Sequence, residues 1–504
     1  MVYNSRWVYN RRWQGQSHKV SLCLFLVLIL TVSEIFAAEI LHHDLHVRLQ
    51  PADGSISVID NIQFPAGTVS AEFTLRKGLS VKADGVELSS IKQTGNSHLQ
   101  HYRINRPPPD GKVQLSYQGK IVSAGTDGPF DMPESVLNTE EGVYLDSGSA
   151  WLPAFHGHDL YTFDLHVVAP DNWQVISQGK RSQESNHKSS DDSHSYIFTM
   201  PHPQDSIYLI AGPYQRFIKK HEDTDIVVYL YPTGSSAADR SLAEKYLETS
   251  AEYISLYSNW IGPYPYAKFA VVENRWQTGY GMPSFTLLGS TVMRLPFILY
   301  TSLPHEIVHN WWGNGVYIDA SKGNWSEGLT AYMSDHYSNE QQGKGREYRR
   351  KALERYANFA ADRRDFALTD FISRHNEASQ AVGYNKSLML FHMLRQRAGD
   401  DDFDKAIQTF WQNYQFRHAD FHDLIQLFYN PTGNQAETNE DYRQFIEQWL
   451  EQKGAPQISL DDVSVSKQLD GYTLSIKISQ QQPGPAYRMQ IPLEVTLNGT
   501  TRAH

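Results

Sequence analysis

Hydrophobic positions follow two different periods along this chain. From residue 39 to about 215 they alternate with polar ones. Leu45, Val47 and Leu49 take every second position, Ala52-Asp53-Gly54 makes a turn, and Ile56, Val58, Ile62 and Phe64 resume the pattern. Phe163, Leu165 and Val167 repeat it before Pro170-Asp171-Asn172, and Ile207 to Ile210 reads as a strand stopped by Gly212-Pro213. A period of two turns one side of each strand inward. Short strands with regular turns predict a β-sandwich or saddle over residues 39–215. The polar, serine-rich run from Arg181 to His194 reads as an exposed hairpin excursion.

From residue 216 the period lengthens. Asp225 to Tyr231 and Phe269 to Val272 are strand-like, but Leu242, Tyr246, Tyr253 and Leu256 carry helical spacing through Ala237–Tyr257. Further helices are predicted at Leu303–Trp312, Ser326–Tyr337, Lys386–Arg397 and Asp402–Tyr414. Strands followed by helices make residues 216–455 an α+β domain with a helical lobe. From Pro456 alternation returns at Leu474, Ile476 and Ile478 and again at Ile491, Leu493 and Val495. Fewer than fifty residues are too few for an independent sandwich, so 456–504 reads as the start of a C-terminal β domain that is cut short.

Composition and the N-terminus add four constraints. A chain of 504 residues, 40% apolar and 20% charged, is ordinary globular material for several domains. The net charge of −11, without a long basic run after residue 20, argues against nucleic acid as a partner. Residues 1–38 place Arg6, Arg11, Arg12 and Lys19 before the apolar run Val20–Val32, with small residues at Ala37-Ala38. That is the pattern of a signal peptide or signal anchor. The folded part is therefore expected to be exported, periplasmic or extracellular, or held on the outer face of a membrane through that segment. The single cysteine, Cys23, lies inside the apolar run, so disulfides and thiolate metal sites are excluded from the mature chain.

The chemistry gathers in Leu303-Pro304-His305-Glu306-Ile307-Val308-His309-Asn310-Trp311-Trp312-Gly313. Ser302 is a candidate cap, Pro304 suits a first turn and Gly313 suits the stop. Histidines four apart leave the same face of a helix and can share one metal ion. Glu306 is placed to take a proton from an attacking water. The segment Gly323-Asn-Trp-Ser-Glu327-Gly starts the next helix, and a short loop lets Glu327 fold back towards the imidazoles. Two histidines and a carboxylate leave a coordination position open, as catalytic zinc sites do. The competing reading of Glu327 is a favourable charge at a helix N-terminus.

These surroundings resemble the gluzincin aminopeptidase family, which includes membrane alanyl aminopeptidase and leukotriene hydrolase. The resemblance rests on His305-Glu-x-x-His309, Trp311-Trp-Gly-Asn314, Trp325-Ser-Glu-Gly328, Gly262-Pro-Tyr-Pro265 and Gly383-Tyr-Asn-Lys386, within roughly residues 39–456. It implies a thermolysin-like zincin domain behind the N-terminal β domain. It implies one zinc per chain on His305, His309 and Glu327, Glu306 as general base, and Tyr384 as the donor to the oxyanion. Peptides are the implied substrates.

Two departures stand out. Seventeen residues separate His309 from Glu327 where the family has eighteen, and the loop 315–324 is expected to absorb the deletion. The family's Gly-x-Met-Glu-Asn appears as Tyr280-Gly281-Met282-Pro283-Ser284, so the glutamate that binds a substrate's α-amino group is missing. Asp146 and Glu273 are possible replacements, with solvated loop charges as the favoured reading. The reading is zinc-dependent hydrolysis of peptide bonds by an aminopeptidase-like metallopeptidase, with exo- against endopeptidase action left open by Pro283. Its alternative is a non-catalytic envelope scaffold that keeps the fold for binding. His42-His43 reads as an exposed pair, His156-Gly-His158-Asp159 as a solvated turn, and Asp400-Asp-Asp402 as an acidic helix start.

Overall fold

The computed structural model describes residues 40–504 apart from 93–97, 122–135, 183–192, 278, 361–363, 430–439, 469–470, 492, 498–499 and 504. The export segment and most of the Arg181–His194 excursion lie outside the described residues. Among the described residues no helix is long and apolar enough to cross a membrane. The chain divides into two compact units, the first drawn from segments up to residue 210 and the second mainly from residue 211 onward.

The first unit is built from β-strands. One sheet contains β1 (Leu41–Gln50), β2 (Ser55–Gln63), β3 (Ser80–Asp84), β4 (Lys112–Lys120), β5 (Tyr161–Pro170) and β6 (Ser193–Gln204), in the order β6-β5-β1-β2-β4-β3. β1 runs antiparallel to β2 but parallel to β5, with Leu45 opposite Leu165 and Val47 opposite Val167. A second sheet has the order Ala154–Phe155, Ser70–Arg76, Leu99–Asn105, Glu87–Ile91. Phe155 of that sheet meets Phe73, Phe64 and His43, which joins the inner faces of the two sheets. The alternation read from the sequence is the cause: Leu41, Leu45, Val47, Leu49, Phe163, Leu165 and Val167 are all buried.

The reading of His42-His43 as an exposed pair needs correction. His43 is fully buried, and its Nδ1 lies 2.9 Å from Oδ2 of an equally buried Asp60. The parity of Leu45, Val47 and Leu49 projects back onto position 43. An inward-facing histidine then requires a polar partner, because an unpaired buried polar group is costly.

The second unit centres on a mixed sheet of β7 (Gln215–His221), β8 (Thr224–Leu230), β9 (Lys268–Asn274), β10 (Gly279–Met282) and β11 (Phe285–Gly289), in the order β7-β8-β9-β11-β10. β8, β9 and β11 are parallel, while β10 forms an antiparallel edge. Helix α1 (Ser236–Trp260) makes the crossover from β8 to β9. Every residue of β9 is buried, as expected of a strand covered on both faces. The helices that follow include α2 (Ser302–Val308), α3 (Ser326–Ala331), α4 (Ser387–Ala398) and α5 (Asp400–Tyr414). Asp400, Asp401 and Asp402 occupy the first turn of α5, the acidic helix start read from the sequence.

Aromatic packing fixes these helices. Trp312 meets Trp325, Phe410 and Trp411, and all four are buried. The Trp325 indole donates to the carbonyl of Ala419 at 2.8 Å and that of Trp311 to Gly262 at 3.1 Å, so both rings are buried without losing a hydrogen bond. Beyond the helices, Ile458–Gln468 pairs with Gly471–Gln480 in a hairpin, and Glu494–Leu497 pairs with Thr500–Ala503.

Candidate active site

Helix α2 supplies the histidines. Leu303, Ile307 and Val308 are fully buried and hold the helix on the core, which turns the face carrying His305 and His309 towards α3. Ser302 is the first helical residue rather than the cap; Thr301 precedes it, without a side-chain capping bond. Pro304 therefore sits at the third helical position. Its missing N–H is still harmless there, because the first four N–H groups of a helix have no partner within it. The regular helix ends earlier than predicted, at Val308, and a tight turn carries the chain on, with the N–H of Trp311 donating to the carbonyl of Val308. Gly313 then reverses the chain at φ +96°.

Helix α3 supplies the carboxylate. Asn324, just before the N-cap residue Trp325, accepts at Oδ1 from the N–H of Ser326 at 3.0 Å. Gly328 lets α3 lie directly on α4, since a Cβ there would meet Oγ of Ser387 at 2.0 Å. The connecting loop holds a small strand at Tyr317–Ile318 and a single turn at Ala320–Lys322, and Glu327 reaches both histidines. Its Oε2 lies 3.6 Å from Nε2 of His305 and 3.4 Å from Nε2 of His309, and the two Nε2 atoms are 3.2 Å apart. With metal–ligand bonds of about 2.0–2.2 Å, a tetrahedral shell has ligand–ligand edges near 3.4 Å. The triangle has that size.

The outer nitrogens settle the tautomers. Nδ1 of His309 faces the carbonyl oxygen of Trp312 at 2.9 Å, and a carbonyl only accepts. Nδ1 therefore carries the proton and Nε2 offers a lone pair. Nδ1 of His305 faces Oδ2 of Asp335 at 2.9 Å, with the same result. Two lone pairs and a carboxylate thus converge, and Glu327 Oε2 is buried without a hydrogen-bond donor. Such an orphaned oxygen is what a cation would satisfy. Without an ion the electrostatics show the same demand for positive charge, met by protons on the imidazoles. Burial alone would lower the pKa of His305, yet its hydrogen bond with Asp335 and the nearby Glu327 carboxylate raise it well above the usual imidazole value. Burial would raise Glu327, but the adjacent imidazoles hold it well below the usual carboxylate range. The residues present fit zinc.

Glu306 and Tyr384 flank this triangle. Glu306 is buried beneath β10, where a Cβ on Gly279 would meet its Oε1 at 2.9 Å and one on Gly281 its Oε2 at 2.9 Å. Burial raises its pKa, which makes it a better proton acceptor than an exposed carboxylate. The ring of Tyr384 stacks on His305, centroids 6.2 Å apart. Burial pushes its phenol far above the ordinary value, helped by the negative charge of Glu327, so it remains a donor at neutral pH. Tyr384 and Asp335 both lie in widened, π-type helical turns, Ala381–Lys386 and Tyr332–His336. Lys386 points away from the site, donating to the carbonyl of Gln452 at 3.2 Å.

Two asparagines that the sequence reading did not single out latch the edge strand to the metal helix. Asn310 accepts from the N–H of Ser284 at 2.9 Å, and Asn314 donates to the carbonyl of Gly281 at 3.1 Å. Their signal was position, immediately after the second histidine and in the Trp-Trp-Gly-Asn run. Pro283 and Ser284 form the two-residue turn between β10 and β11, with Ser284 at φ +69°. Pro283 offers no carboxylate. Glu273 is buried and committed: its Oε2 accepts from the N–H of Tyr231 at 2.8 Å, and its Oε1 pairs with Arg294 at 2.6 Å. It is not the solvated loop charge expected. Asp146, in the first unit, caps the turn Ser147–Ser149.

Fold and donor set together define a candidate zinc site on His305, His309 and Glu327. Residues 299–449 match the Peptidase family M1 domain, and the chain resembles the gluzincin aminopeptidases across that segment. Probable aminopeptidase 2 of Sulfurisphaera tokodaii is 20% identical over 415 residues, covering 77% of this chain and 50% of that protein. Tricorn protease-interacting factor F2 of Thermoplasma acidophilum is 22% identical over 429 residues, covering 75% and 50%. The chain spans half the length, or less, of these curated relatives. The M1 zinc metallopeptidase from Deinococcus radiodurans superposes with a TM-score of 0.63 at 19% identity, over 83% of this chain and 94% of that one. Native yeast LTA4 hydrolase gives 0.62 at 14%, over 83% and 68%. The shared fold is a β-sheet unit followed by a thermolysin-like unit with a helical lobe.

Proposed function

We propose that this protein hydrolyses peptide bonds as a zinc-dependent, aminopeptidase-like metallopeptidase, acting as an exported protein. The observation that carries the reading is the convergence of His305, His309 and Glu327 with Glu306 and Tyr384 alongside. Zinc bound by the three donors supplies the Lewis acidity that polarises a scissile carbonyl and makes water nucleophilic at neutral pH. Glu306 takes the proton of the attacking water and returns it to the leaving amine. The Tyr384 hydroxyl donates to the oxygen that gains negative charge. Asp335 and the Trp312 carbonyl keep both imidazoles in the ligand tautomer. A scaffold that only binds has no need of this base and phenol, and no observation favours that alternative.

The selectivity follows from what is missing. With Pro283 in the turn and Glu273 paired to Arg294, neither supplies a free carboxylate for an α-amino group. We expect peptides with blocked N-termini to be cleaved at rates close to those of their free-amine counterparts. Zinc content by elemental analysis, followed by hydrolysis of matched blocked and free peptides, tests both statements. A protein that holds zinc and cleaves neither overturns the enzymatic reading. Strict dependence on a free amine overturns only the selectivity.

A further inference from the structure

A second group of metal-type donors lies on the outer face of the first unit's sheet. The parity that buries His43, Leu45 and Val47 on β1 turns His42, Asp44 and His46 outward. On β5 the same parity turns out Thr162, Asp164 and His166. The strands are parallel and in register: His42 is opposite Thr162, Asp44 opposite Asp164 and His46 opposite His166.

The imidazoles of His46 and His166 stack with centroids 4.5 Å apart and planes 13° apart. Both place Nε2 near one oxygen, Oδ1 of Asp44, at 3.4 Å and 3.7 Å. These edges match the 3.4–3.6 Å that separate Glu327 from its two histidines. The other oxygen of Asp44, Oδ2, accepts from Nδ2 of Asn61 at 3.2 Å, and Oδ1 of Asn61 accepts in turn from Gln114 at 2.7 Å. That chain orients the carboxylate so that Oδ1 faces the nitrogens, as outer partners do for metal ligands. Asp164 stands directly across from Asp44 and turns to the neighbouring imidazole, its Oδ2 lying 3.6 Å from Nε2 of His42, which leaves Asp44 to His46 and His166.

We propose that Asp44, His46 and His166 bind a divalent first-row transition ion, zinc, nickel or copper, independently of the catalytic centre. Two imidazole nitrogens select such ions over calcium or magnesium, which prefer all-oxygen shells. The side chains of His46, His166 and Asp44 are 48%, 37% and 37% exposed, so water completes the shell. An ion there ties β1 to β5 across the parallel pair. Its weaker hold compared with the buried site follows from that exposure.

The test uses untagged full-length protein, stripped with a chelator and dialysed against Zn2+ or Ni2+, with bound metal counted by elemental analysis. Wild type is expected to take up one equivalent tightly and a second more weakly. His46→Gln and His166→Gln should each lose only the weaker equivalent, with unchanged thermal unfolding of the stripped protein and an unchanged rate on peptide. His309→Ala should lose only the tighter one. Uptake of a single equivalent by wild type overturns the proposal, as does a second equivalent that survives in the His46→Gln, His166→Gln double variant. Because the count does not depend on turnover, failure here and failure of the peptidase reading are distinguishable.

Discussion

Two triangles of the same chemistry stand on different supports in this molecule. On α2 and α3, His305, His309 and Glu327 converge through helical spacing, and all three are largely buried. On β1 and β5, Asp44, His46 and His166 converge through strand spacing and cross-strand register, and all three reach solvent. Their histidine–carboxylate edges differ by only a few tenths of an ångström. The difference lies around them. The helical triangle has a buried carboxylate and a phenol beside it, and each of its histidines holds its outer proton on a fixed acceptor. The sheet triangle has an oriented carboxylate and open solvent. Donor geometry therefore defines a metal site, and the neighbours that handle protons and charge define a catalytic one.

The largest expected effect separates those neighbours from the donors. Glu306→Gln should leave the tight zinc equivalent in place and reduce peptide hydrolysis by about 10²–10⁴-fold, the usual contribution of a general base. Metal content and initial rates, measured on the same sample, check it. Undiminished activity would show that Glu306 is not the base and that the proton goes elsewhere. Tyr384→Phe comes next. Losing one donor to a developing oxyanion costs about 10²–10³-fold in kcat. The effect should fall on kcat rather than KM, with zinc content unchanged, since the ring still packs between His305 and Phe371.

The sequence showed these two regions unequally, for a physical reason. A helix compresses a metal motif into five residues, so His305-Glu-x-x-His309 is visible without any knowledge of neighbours. Glu327 was found despite its shortened spacing because loops absorb single deletions where helices cannot. A sheet site is spread over strands that pair only in the fold, here with about 120 residues between His46 and His166. Parity could have shown which side chains point outward, and it would have moved His43 inward, but no local pattern announces that β1 lies parallel to β5. Likewise Gly279 and Gly281 read as ordinary strand residues. Only the packed edge strand shows that a side chain at either position would collide with Glu306. The cap at Ser302 was misplaced by one residue, because a proline tolerated anywhere in the first turn does not fix where the helix begins.

A smaller effect probes the outer partner of the helical triangle. Asp335→Asn keeps an oxygen that can accept from Nδ1 of His305 but removes the charge that makes Nε2 a stronger donor. Zinc affinity should fall by about 10–100-fold, as for other outer partners of metal ligands. Competition with a chromogenic chelator measures it. At saturating zinc, hydrolysis should recover most of its rate. Unchanged affinity would mean that the Asp335 contact only shapes the helix turn.

The smallest effect applies the same operation to the sheet triangle. Asn61 donates to Asp44 from a strand that is already held in register by pairing on both sides, β1 on one and β4 on the other. Asn61→Ala therefore removes the orienting bond without disturbing the backbone, and it leaves Asp44 free to turn its oxygens to water. Exposure limits the loss, because water competes for that carboxylate in either state. Second-site affinity should fall by no more than about tenfold, below the range for buried outer partners, with the tight equivalent and the peptidase rate untouched. Equal losses in Asn61→Ala and Asp335→Asn would show that exposure does not weaken the outer partner. A null result in Asn61→Ala, with the second equivalent present, would show that Asp44 needs no orienting partner.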